Sequence, residues 1–180
     1  MAALACYAKL RTPLATAHRG LTQALGVIVS NRQVTKVKRQ GIDANLAPDA
    51  FAKWANDYLK CEDDYSLAGF SPVRHFLLCR AIELAIKAIH LNRIGQPEVK
   101  TTYGHDILKA YQKLPSEYQT LTEAEQDFLS NASTIYDGKE FEYFNPEDSL
   151  TGYQRFPNIE TLRALAHKIV ALPPNNSFKR

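Results

Sequence analysis

Arg80, Glu83, Lys87 and His90 advance by three, four and three positions, a spacing that keeps them on one face of a helix. Arginine and lysine so placed suit phosphate oxygens, and a carboxylate between them holds both cations in position. The plain alternative is a solvated or internally paired face. Glu83 and Lys87 stand in the favourable Glu-first i, i+4 order, worth ~0.2–0.5 kcal/mol when exposed. Burying such charges without partners costs several kcal/mol, so they must be paired or wet.

Tyr103, His105 and Asp106 form a second group. Free amides at a helix start accept an anion, a protonatable histidine adds charge, and a tyrosine ring stacks on a base. More simply, Asp106 meets the positive end of a helix dipole while His105 packs. A third group is aromatic: Tyr136, Phe141, Tyr143, Phe144, Tyr153 and Phe156, interleaved with Lys139 and Arg155. Rings beside cations are what single-stranded nucleic acid stacks upon. Here Glu140, Glu142, Glu147 and Asp148 make the stretch acidic, which favours rings laid over the end of a core. Arg163 and His167, also at i, i+4, read as an exposed pair. There is no Gly-rich phosphate loop, His-x-x-x-His, Cys-x-x-Cys or nucleophile elbow, so no metal and no cofactor are expected.

The elements that must position these residues are helices. Phe51, Trp54, Ala55, Tyr58 and Leu59 have helical spacing, so a first helix is expected over 48–60. The run Cys61-Glu62-Asp63-Asp64 should stop it, with like charges at the negative end of the dipole. Ser71 and Pro72 signal the next start. From there Val73–Ile94 reads as one long helix, apolar on most sides and closed by Gly95 and Pro97. A third helix is expected over 104–114, ended by Pro115. A fourth opens with the capping box Thr122 to Glu125 and runs to Tyr136, with Asp137-Gly138 closing it. Residues 138–157 read as irregular, and Asn158 caps a last helix to Leu172. No strand pair is expected. The fold class is all-α, an up-and-down bundle of four to five helices.

The chain has 180 residues, 45% apolar and 23% charged, which suits one soluble domain with a single core. The net charge of +3 is unevenly placed. Residues 1–42 carry seven basic side chains (Lys9, Arg11, Arg19, Arg32, Lys36, Lys38, Arg39) and no acid, whereas the remainder holds 15 basic against 19 acidic. Residues 1–47 therefore read as a basic, weakly ordered leader, 48–172 as the bundle and 173–180 as a tail. The leader is open to three readings: a native arm for anionic surfaces, a targeting segment, or an upstream-start artefact. Cys6, Cys61 and Cys79 are odd in number and share no ligand spacing, which fits a reducing cytoplasm. No apolar run reaches the ~18 residues of a membrane span.

Ala81-Ile82-Glu83-Leu84-Ala85-Ile86-Lys87-Ala88, then Gly95, then Gly104-His105-Asp106-Ile107-Leu108, then Tyr153-Gln154-Arg155-Phe156-Pro157 stand in one order. That order resembles the HEPN family, helical domains found in higher eukaryotes and prokaryotes that bind nucleotides. The resemblance spans 48–172 and implies a bundle of four to five helices that often dimerises. It implies a non-catalytic module binding a nucleotide, RNA or a protein partner, in a prokaryotic defence or toxin-antitoxin setting. Two alternatives come with it: a metal-independent ribonuclease toxin, and a structural partner of a small nucleotidyltransferase. Nuclease members carry Arg, four to six residues, then His near the start of the last helix. Here Arg163 and His167 are separated by three residues, which argues against cleavage. Arg11 and His18 have the spacing but lie in the leader, by coincidence. If two copies paired through the last helix, His167 would serve as acid or base and Arg163 would steady the phosphate.

Overall fold

The computed structural model describes residues 36–39, 42–45 and 47–172. The expectations placed on Lys9, Arg11, His18, Arg19, Arg32 and the tail lie outside these residues. The chain divides between Leu46 and Ala47 into two units.

In the first unit, β1 (Lys36–Arg39) and β2 (Ile42–Asn45) pair antiparallel, with Lys36 opposite Asn45 and Arg39 opposite Ile42. No strand pair was expected, so this is a correction. Each strand has only four residues, and Gln40-Gly41 between them is a weaker signal than Asn-Gly or Asp-Gly.

The second unit is all helical. It comprises α1 (Ala47–Asp63), α2 (Pro72–His90), α3 (Gln96–Tyr103), α4 (Ile107–Gln112), α5 (Glu123–Asp137), α6 (Pro146–Leu150) and α7 (Ile159–Val170). A 3-10 turn at Ser116–Tyr118 precedes α5. Among the described residues no helix is long and apolar enough to cross a membrane.

Helix α2 is the axis. Ala81 through Leu91 are buried without a break, and α1, α4, α5 and α7 all pack on it. Its Leu78, Ile82, Leu84 and Ile86 meet Tyr111, Leu129, Leu162 and Ile169, all essentially without exposure. Each such side chain contributes about 1.5–3 kcal/mol on leaving water.

Several boundaries differ from expectation, each for a physical reason. Helix α1 runs through Cys61 and Glu62 to Asp63, because cations from elsewhere in the chain neutralise Glu62. Helix α2 ends at His90 rather than Ile94. Gly95 does not close it but serves as the N-cap of α3, with a proline in the first turn. Pro97 is thus a start signal, not a stop. Asp106 is the N-cap of α4 and accepts from Lys109 N–H. Ser71 precedes α2, yet its hydroxyl makes no cap and instead accepts from Tyr65. The capping box of α5 and the Asn158 cap of α7 are both present.

Candidate functional site

Glu83 is the hub. Its side chain is 1% exposed, and both carboxylate oxygens are engaged. Arg80 Nη1 and the Tyr136 hydroxyl donate to Oε2, each at 2.6 Å. Lys87 Nζ donates to Oε1 at 2.5 Å, and His105 Nδ1 lies 3.2 Å from the same oxygen. Three elements deliver these groups. The i, i+3 and i, i+4 spacing along α2 brings Arg80 and Lys87 to Glu83. The last turn of α5 supplies Tyr136, and the turn between α3 and α4 supplies His105.

That turn depends on a glycine. Gly104 has φ +53 and ψ −122, a conformation that a side chain would strain. Its carbonyl accepts a second hydrogen bond from Lys87 Nζ at 2.5 Å. His105 then stands edge-on to the Tyr136 ring, with centroids 5.8 Å apart at 88°. Exposure is graded outward from Glu83: Lys87 is 11% exposed, Arg80 30% and His105 48%.

Burial by itself would raise the Glu83 carboxyl, but the charges of Arg80 and Lys87, with hydrogen bonds from Lys87 and Tyr136, outweigh it. The carboxyl therefore sits below its ordinary value and stays ionised. Burial and the neighbouring Glu83 charge push the Tyr136 phenol far above its ordinary value, so it remains a donor. Neither group is poised to exchange a proton near neutrality, as general acid–base work requires. The arrangement holds charge in place.

Two cations face one carboxylate. Among the described residues neither Arg80 nor Lys87 has a second acidic partner, so one positive charge is left over. Lys87 uses two of its three protons, on Glu83 and Gly104. The excess charge is shared by Arg80 and Lys87, and the half-exposed His105 ring stands on the same carboxylate.

The other expected residues fall into separate groups. His90 is buried, and its Nε2 donates to the Ala110 carbonyl at 2.9 Å. Its ring stacks on Tyr103 at 4.4 Å. Burial, assisted by Arg93, lowers its pKa against the opposing effect of the Ala110 bond. Asp106 accepts from the Ser133 hydroxyl as well as from Lys109 N–H, fixing the start of α4.

Arg163 and His167 belong to a second cluster, around Glu62. Arg163 also donates to Glu160 at 2.7 Å, and His167 Nε2 lies 3.1 Å from Asp63 Oδ1. Both tie α7 to α1. Of the aromatic stretch, Tyr136 and Phe141 are buried while Tyr143 and Phe144 are exposed. Arg155 pairs with Asp148 and Glu140 and lies over Phe156.

Sequence reasoning missed Tyr136 as a partner of Glu83, since it lies 53 positions away. It also missed Glu62 and Arg74, whose pairing joins separate helices. Among the described residues no group of His, Cys, Asp and Glu is arranged to hold a metal.

Comparison with known proteins adds no identity. No family model, no curated protein and no solved structure matches the chain.

Proposed function

We propose that the bundle is a HEPN-like, non-catalytic module that binds a phosphate-bearing ligand, a nucleotide or RNA, where Arg80, Lys87 and His105 approach the surface. The observation that carries this reading is the charge imbalance at Glu83. Two cations are held on one buried carboxylate, and a half-exposed imidazole stands on the same carboxylate. A phosphate there meets pre-oriented donors instead of flexible lysines, so little side-chain freedom is lost on binding. The order of the α2, Gly104–Leu108 and Tyr153–Pro157 segments, which resembles the HEPN pattern, supports the same reading.

Titration of a nucleoside triphosphate and of a short single-stranded RNA, each at two salt concentrations, tests it. Binding should weaken as salt rises, because phosphate contacts release counterions. Arg80→Gln and His105→Ala should each weaken it by about tenfold, the loss of one charge-assisted contact. Equal binding by the wild type and both variants, or none by any, would remove these residues from a site.

A further inference from the structure

The segments leading into α2 and α7 line a half-open cavity of about 200 Å³. Its walls are mostly rings. Phe70 and Tyr153 lie face to face, with centroids 3.8 Å apart at 11°. Phe156 meets them edge-on at 5.2 and 5.9 Å. His75 also lines the cavity, but its ring nitrogens lie 2.9 Å from the carbonyls of Ser71 and Pro157. It therefore has no spare nitrogen, and Phe141 stacks on its ring at 5.4 Å.

Arg74 gives the wall its cation. Its Nε and Nη2 are committed to Glu62, with Glu160 at 3.8 Å from Nη2. Its Nη1 bonds to no described residue, which leaves two N–H groups uncommitted.

One of the two stacked rings sits at an unusual backbone position. Phe70 follows Gly69, at φ +92, and Tyr153 itself has φ +58, directly after Gly152 at φ +64. A bulky residue in that region is strained, and strain of this kind gathers at ligand clamps.

Size narrows the occupant. An apolar cavity of about 150 Å³ accepts benzene, whereas pockets for larger ligands begin near about 300 Å³. One six-membered ring with a small substituent fills a space of this size.

We propose that this cavity binds a small aromatic carboxylate, its ring packed against Phe156 and the Phe70–Tyr153 pair and its carboxylate on Arg74 Nη1. The site shares no residue with the Glu83 cluster, so it stands or falls independently of the phosphate reading.

Benzoate is the probe, with benzamide as its neutral counterpart, followed by ligand-observed saturation transfer and titration on the full chain. Tyr153→Gly removes a wall at a position where glycine relieves backbone strain, which offsets part of the packing lost, and a thermal melt checks that the variant is folded. Arg74→Lys keeps a charge for Glu62 but lacks the fork. Benzoate should bind the wild type, benzamide about tenfold more weakly, and each variant should bind benzoate about tenfold more weakly. Absence of transfer from benzoate to the wild type, equal binding of benzoate and benzamide, or undiminished binding by Tyr153→Gly would overturn the proposal.

Discussion

Glu62 of α1 and Arg163 of α7, 101 positions apart, meet through two hydrogen bonds, Nε to Oε2 and Nη2 to Oε1, both 2.8 Å. This is the two-point geometry that a guanidinium and a carboxylate share. Arg74 of α2 adds its Nε and Nη2, both 2.8 Å from Oε1. One fully buried carboxylate thus joins the three helices that pack against one another at this side of the bundle.

Removing that carboxylate strands two cations. Glu62→Ala should cost about 3 kcal/mol, the low end for breaking a buried pair, because Arg163 keeps some exposure and Glu160. Arg163→Lys should cost less, since charge survives and only the two-point contact is lost. Urea unfolding checks both; a loss below about 1 kcal/mol for Glu62→Ala would contradict the assignment.

Tyr136→Phe removes the hydroxyl that donates to Glu83 Oε2 and leaves the ring in place. A hydrogen bond to a charged group is worth about 1.5–3 kcal/mol, so the variant should be destabilised by that order. Its acid transition should also move to higher pH, because one of the groups holding the Glu83 carboxyl low is gone. Unchanged stability would mean that the 2.6 Å contact contributes nothing.

Acid should unfold the protein in two stages. Burial lowers the pKa of His90, with Arg93 assisting against the Ala110 bond, so the folded chain resists taking up that proton. Stability from this source is present at neutral pH and declines below about 6.5, the free imidazole value. Glu62 and Glu83 follow. Burial would raise both, but Arg163 and Arg74, or Arg80 and Lys87, hold them below the ordinary carboxyl value. Their contribution is complete above about 4.3 and is lost as pH falls through the lower folded values. Melting temperature against pH for the wild type and His90→Gln separates the stages. The shallow decline between pH 7 and 5 should be absent from the variant, and an identical decline in both would contradict it.

The purified chain should leave a short RNA intact, because Arg163 is committed to Glu62 and Glu160 while His167 faces Asp63. Gel analysis after prolonged incubation checks this. Cleavage abolished by His167→Ala would restore the ribonuclease alternative.

Most signals that act within one turn were legible in the sequence, the Ser71 cap excepted. Thr122 and Glu125 make their capping box, and Asn158 accepts from Thr161 N–H, as their types and spacing require. The enclosure of α2 followed from its near-continuous apolar surface, although its end at His90 came a turn earlier than expected. Signals with two meanings were misjudged: Gly95 and Pro97 close one helix by one rule and open the next by another, and α3 was lost in that ambiguity. Glu62 looked like a helix stop because its cations come from positions 74 and 163, which no local pattern reveals. The Glu83 cluster was half visible. The α2 stripe showed Arg80 and Lys87, but Tyr136 reached the site only through the packing of α5 on α2.

The most direct test of the account maps backbone amide shifts while a nucleoside triphosphate is added to isotope-labelled protein. The surplus charge at Glu83 predicts shifts centred on Arg80, Gly104 and His105, with the Phe70–Tyr153 cavity unmoved. Shifts that avoid those three positions, or a spectrum unchanged at saturating nucleotide, would contradict it.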